Sequence, residues 1–174
     1  MRKLILVLLA AVLALPALAV AGSPPSPADK AAAAKQCATL KTSMGAAPFK
    51  ALYGTNANKS NAFGKCVSTN AQKNEQGRSN AAAACRTERS ADPAAFATKY
   101  GTGPDHAGAF GKCVSQTAKA AVAARVQETV SAAKSCWSER KADLAAFQAK
   151  YGTNATKSNA FGKCVSAKVK QSSS

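Results

Sequence analysis

The chain has 174 residues and a formal charge of +16. Hydrophobic residues make up 47% of it but aromatics only 6%, because 42 residues are alanine; the apolar fraction is mostly methyl groups and cannot fill a thick core. These totals exclude a membrane channel, a large enzyme domain and an acidic disordered tail.

Residues 1–21 read as a secretory signal peptide. Arg2 and Lys3 form a positive start, and Leu4 to Leu15 is an apolar run too short to span a bilayer. Ala17-Leu18-Ala19 and Ala19-Val20-Ala21 are overlapping cleavage sites, after Ala19 or Ala21. The alternative, an uncleaved anchor, lacks any apolar continuation past Ala21. After cleavage no transmembrane segment is expected. Residues 22–27 form a Pro/Ser linker. From Gly22 onward there are 22 basic and 8 acidic residues, a charge of +14, and 21 large apolar or aromatic side chains with no Ile. Export and an even number of cysteines point to a disulfide framework that compensates for the thin core.

The chain then repeats one unit three times. Repeat 1 (28–70) runs through Cys37, Phe49, Tyr53-Gly54-Thr55 and Asn61-Ala62-Phe63-Gly64-Lys65-Cys66-Val67-Ser68. Repeat 2 (81–125) runs through Cys85, Phe96, Tyr100-Gly101-Thr102 and Gly108-Ala109-Phe110-Gly111-Lys112-Cys113-Val114-Ser115. Repeat 3 (126–170) runs through Cys136, Phe147, Tyr151-Gly152-Thr153 and Asn159-Ala160-Phe161-Gly162-Lys163-Cys164-Val165-Ser166. The two cysteines of a unit are 29, 28 and 28 residues apart, and Tyr precedes the next Phe by 10 each time. A polar stretch at 71–80 containing Gly77 predicts a hinge between repeats 1 and 2, and 171–174 is a polar tail.

Each unit is expected to hold three helical pieces. The first carries the leading cysteine in an Ala-rich run, starting in repeat 1 at Ser26-Pro27. The second spans about two turns, capped by Gly45, Asp92 or Asp143 and stopped by a left-handed Gly54, Gly101 or Gly152. Its Phe and Tyr, four apart, share a face. The third should begin at Asn58, Asp105 or Thr156 as N-cap, with Phe63/Cys66/Val67 and their equivalents facing inward. The positions Val114, Ala118, Val122, Val126, Val130, Ala133 and Trp137 recur every three or four residues. They predict one long helix from about His106 to Arg140, shared by repeats 2 and 3. The fold class is therefore all-α, three tandem disulfide-stapled helical repeats.

Six cysteines allow 15 pairings. Cys113 and Cys136 lie roughly 34 Å apart on the long helix and cannot bridge. The repeat favours Cys37–Cys66, Cys85–Cys113 and Cys136–Cys164. Metal ligation is disfavoured, since there is no Cys-x-x-Cys and only one His.

The combination Lys150-Tyr151-Gly152-Thr153-Asn154 … Lys157 to Ser166 resembles a group of uncharacterised secreted bacterial proteins, Ala-rich and carrying this unit once or several times. The resemblance spans nearly the whole chain after the leader and implies a bacterial, exported origin; no activity is attached to the motif. Repeat 2 departs from it at Gly103-Pro104-Asp105-His106. Repeat 1 lacks the Glu-Arg of Glu88-Arg89 and Glu139-Arg140.

No catalytic residue or cofactor is expected. His106 occurs in one unit only, where the others carry Lys59 and Lys157, and reads as a solvated residue in a first helical turn. The carboxylates form no repeated acid–base pair, and the cysteines belong to the framework. The sequons at Asn58 and Asn154 read as accidental. The lysines are the functional lead: Lys65, Lys112 and Lys163 precede the second cysteine of each unit, and Lys59 and Lys157 start the same segments in two. Their plain role is solubility. Their sharper role is binding a polyanion, such as an anionic cell-wall polymer, anionic lipid or extracellular nucleic acid. The expected function is structural or adhesive at the envelope. The alternatives are a secreted antimicrobial or inhibitor protein, and an enzyme of unrecognised type.

Overall fold

A computed structural model describes residues 23–172; the leader lies outside the described residues. Seven helices follow one another there: α1 (Pro27–Met44), α2 (Ala46–Tyr53), α3 (Ala62–Ala91), α4 (Pro93–Tyr100), α5 (Ala109–Ala142), α6 (Leu144–Tyr151) and α7 (Ala160–Ser172). Each unit is a long–short–long set, and neighbouring units share a long helix. The expected α5 is present and serves repeats 2 and 3.

The hinge at 71–80 is not: α3 runs unbroken through it and serves repeats 1 and 2. Of the polar residues in that stretch Asn74 faces inward, while Gln72, Lys73, Gln76, Arg78, Ser79 and Asn80 are exposed along the helix. Asn70 and Asn74 are buried on it, and Asn74 Oδ1 accepts from Gln36 Nε2 at 3.0 Å and from Arg125 Nη2 at 2.7 Å. Asn74 Nδ2 donates to the Asp29 carbonyl at 3.3 Å. A polar seam thus joins α1, α3 and α5, and Gly77 sits in the helix with open space around its Cβ position.

Ser26 caps α1 through a capping box with Asp29, followed by Pro27. Asp92 and Asp143 cap α4 and α6, each accepting from a backbone N–H at 2.9 Å, and Gly45 occupies the equivalent place before α2. The third-helix caps are a correction. Those helices start three to four residues later, at Ala62, Ala109 and Ala160. Asn58, Asp105 and Thr156 bond only within the preceding loop. Instead Asn61 Oδ1 accepts from Thr55 N at 3.0 Å while its Nδ2 donates to Thr55 Oγ1 at 2.7 Å. Asn159 repeats this latch on Thr153. In repeat 2 Gly108 replaces the Asn, and a Thr102–Ala107 backbone bridge closes the loop.

Gly54, Gly101 and Gly152 are also corrected. Their backbone is extended, with φ between −69° and −76°. Glycine is needed there for space: a Cβ on Gly54 would come 2.6 Å from Lys59 Cβ and 2.7 Å from the Lys50 carbonyl. The non-glycine residues in the left-handed region are Lys59, His106 and Lys157, at φ 57°, 50° and 53°. His106 therefore stands in a loop, exposed, rather than in a helical turn.

The three disulfides are Cys37–Cys66, Cys85–Cys113 and Cys136–Cys164, with Cα atoms 5.9–6.1 Å apart, and they leave no free cysteine. All six half-cystines are fully buried, so the staples are themselves much of the core. Each closes a loop of a size that contributes about 3–4 kcal/mol in the chain-entropy model.

The units do not stack in a row. α3 and α5 pack along each other, with repeat 2 at one end of the pair and repeats 1 and 3 at the other. Repeats 1 and 3 bury one common core: Leu40, Met44 and Phe49 meet Ala133, Phe147 and Phe161 there. Repeat 2 has a separate, smaller cluster of Cys85, Phe96 and Cys113, backed by Tyr100, Phe110 and Val114. The aligned Phe residues at the head of the third pieces therefore differ: Phe161 is buried against Trp137, Phe110 is half-buried, and Phe63 is exposed.

Candidate functional site

The lysines divide into two kinds. Lys59 and Lys157 are latches: their Nζ atoms donate to the Gly54 and Gly152 carbonyls at 2.9 and 3.1 Å. Each places a positive charge at the C-terminal end of α2 or α6, where backbone carbonyls lack partners. Their part in the sequence pattern is explained by the loop they close, and a polymer would have to compete for them.

Lys65, Lys112 and Lys163 stand on the first turn of α3, α5 and α7. Lys65 and Lys163 are exposed and Lys112 half-exposed, and none forms an ion pair among the described residues. The fold does not bring the three together. Lys65 belongs to the end of the molecule formed by repeats 1 and 3. Lys112 belongs to the opposite end, beyond roughly 28 Å of α3 between Cys66 and Cys85.

Most of the carboxylates have internal duties. Asp92 and Asp143 are caps. Asp29 pairs with Arg78 at 3.0 Å. Glu88 pairs with Lys99 at 2.7 Å and accepts from the Tyr100 hydroxyl; these contacts, led by Lys99, hold its carboxyl below the usual range. Glu139 repeats the arrangement with Tyr151, Lys150 and Lys168, and Lys168 is the main cause of its lowered pKa. Repeat 1 has Leu40 at this position, fully buried in the core shared with repeat 3. That burial explains why the Glu-Arg pair is missing there. These Glu–Tyr–Lys clusters were not singled out from sequence, although Glu88 and Glu139 stand at one repeat position and Tyr100 and Tyr151 at another.

Beside the seam, partial desolvation and the charge of Arg125 push the Lys73 amine below its usual range, although Lys73 is largely exposed. Burial raises the Tyr53 hydroxyl despite its contacts with Asn70 and Arg125.

Two grooves flank the long helices. The larger, about 800 Å³, lies along α3 and α5 and beside the first half of α1, and Gln36, Ala82, Arg86, Val114, Lys119 and Val122 are among the residues that line it. The smaller, about 700 Å³, runs between α1 and α5 from Val122 to Lys134. No group of His, Cys, Asp and Glu among the described residues has the makings of a metal site, and no helix there is long and apolar enough to cross a membrane. No family model, curated protein or solved structure matches the chain.

Proposed function

We propose that the chain is an exported bacterial protein of the envelope or extracellular space, non-enzymatic and structural or adhesive. Its basic surface binds polyanions through charge, without base or sugar specificity. An anionic cell-wall polymer, anionic lipid surface and extracellular nucleic acid share that chemistry. The supporting observation is the use of the carboxylates. Caps and ion pairs occupy most of the few acids, so the excess of 22 basic over 8 acidic residues from Gly22 onward is left largely uncompensated at the surface. Three disulfides fit an oxidising compartment. Stacking aromatics are too few for base recognition. Among the described residues only two large apolar side chains, Phe63 and Leu144, are exposed, which counts against a membrane-lytic role.

The test is retention on heparin, nucleic acid and wall-polymer supports across a salt series. The variant Lys65→Gln/Lys112→Gln/Lys163→Gln should elute at lower salt with its helical content intact. Its log–log salt slope should be shallower by about 2–3 if all three lysines contact the polymer. Equal elution of variant and wild type would reduce these lysines to a solubilising role. Lys59 and Lys157 are unsuited to the test, because their ammonium groups are bonded to the Gly54 and Gly152 carbonyls.

A further inference from the structure

Repeat 2 differs from the other units in what covers its aligned Phe. In repeat 3 Trp137 meets the Phe161 ring edge-on at 5.7 Å, and Arg140 lies over Trp137 at 4.9 Å. In repeat 1 the corresponding positions are Ala38 and Lys41, and Phe63 is left exposed. In repeat 2 they are Arg86 and Arg89. These two stand one turn apart on α3. Their guanidinium carbons lie 5.9 and 5.1 Å from the centroid of the same Phe110 ring. Among the described residues no other ring carries two cations.

Neither charge is answered within the fold. Arg86 and Arg89 form no ion pair among the described residues, and both are exposed. Glu88 stands between them in sequence, but Lys99 and the Tyr100 hydroxyl hold its carboxylate. The shared ring restrains the two guanidiniums as neighbours, and a planar guanidinium resting on a ring keeps its in-plane N–H donors for other partners. Gly111, next to Phe110, has open space where a Cβ would stand, so the approach to the pair is clear on that side.

We propose that Arg86 and Arg89 are the point at which the basic surface anchors its polymer, and that the group they hold is a phosphodiester. This site rests on the polyanion reading and deepens it. A tetrahedral phosphodiester turns its two charged oxygens apart, so each accepts from a different guanidinium, whereas a planar carboxylate is filled by one fork. Phe110 is half-buried and already in contact with both arginines, which makes it a poor stacking platform for a base. The chemistry recognised is therefore the backbone phosphate, common to polyol-phosphate wall polymers and single-stranded nucleic acid.

The experiment is titration of the full-length chain with polyglycerol phosphate, a single-stranded oligonucleotide and polyglutamate of matched charge, across a salt series. The two phosphate polymers should bind alike, and polyglutamate about threefold or more weaker. Arg86→Gln/Arg89→Gln should weaken polyglycerol phosphate by about tenfold and make the log–log salt slope shallower by about 1–2. Lys30→Gln/Lys35→Gln removes the same charge from α1 and should weaken it by no more than about threefold. Arg86→Lys/Arg89→Lys keeps the charge without the forks and should erase the preference over polyglutamate. If the glutamine pair loses helix, the shift map of the wild type with polyglycerol phosphate decides. Changes centred on Arg86, Arg89 and Phe110 support the site, and changes elsewhere overturn it. No binding by the wild type at low salt defeats the polyanion reading as a whole. Binding that the arginine pair affects no more than the Lys30/Lys35 pair leaves that reading standing and overturns this site. Equal affinity for polyglutamate overturns the phosphodiester, and binding of the oligonucleotide alone overturns it in favour of base recognition.

Discussion

Asn159 shows how one side chain sets a loop. It accepts from Thr153 N at 3.1 Å and donates to Thr153 Oγ1 at 2.7 Å, replacing in one residue what a helix N-cap and a turn would otherwise supply. Asn159→Ala should lower stability by about 1 kcal/mol, the typical net worth of such bonds. Asp105→Ala should change it by only a few tenths, because Asp105 makes one 3.4 Å bond within an exposed loop. Urea melts of the two variants check the ranking. Sequence reasoning chose Asp105 and its equivalents because capping residue types stood just ahead of an apolar helical face. It could not see that the chain makes a further turn there, with Lys59, His106 and Lys157 in the left-handed region, before the helix begins.

At the scale of elements, α3 and α5 were legible to different degrees. The stripe of valines on α5 carries its helical period openly. The inner face of α3 is asparagine and alanine, so its period is invisible to a test that looks for large apolar residues. Its seam partners, Gln36 and Arg125, are distant in sequence, and only their hydrogen bonds show which way Asn74 points. Gly77 is therefore a weak point within a helix and not a hinge. Gly77→Ala should raise stability by about 0.5–1 kcal/mol, whereas Gly152→Ala should lower it, since its Cβ would meet the Gln148 carbonyl at 2.6 Å. Thermal melts of the pair separate the two roles of glycine.

The start of α1 carries a pH dependence. Burial raises the pKa of Asp29, but its bonds to Ser26 and Arg78 outweigh this and hold the carboxyl below its ordinary value. The stability it contributes is complete above the unfolded range near about pH 4 and is lost as pH falls through the lower folded value. Asp29→Asn should cost about 1–2 kcal/mol at neutral pH and flatten the acid limb of a stability–pH series.

The whole molecule has two cores of unequal size. The one shared by repeats 1 and 3 draws on α1, α2, α3, α5, α6 and α7, whereas that of repeat 2 is a cystine and a few aromatic and aliphatic neighbours. Local opening should follow this division. Amides of α4 should exchange faster than those around Cys37 and Cys164. Phe96→Ala should cost about 3 kcal/mol and accelerate exchange in repeat 2 while leaving the other end protected. Native-state hydrogen exchange by residue checks both statements. The pairing of cysteines and the count of units were readable because spacing alone encodes them. The joining of repeats 1 and 3 was not, since no local pattern marks a contact between segments a hundred residues apart.

That joining has a consequence for growth. A helical array with free ends must shield them with polar capping units, or it recruits further copies. Here the first and last units shield each other. Leu40 stands where the other units have Glu, and Met44, the residue that lengthens repeat 1 to a spacing of 29, is buried in the same contact. A further unit packing on the outer side of repeat 3 would have to displace repeat 1 from the core the two share.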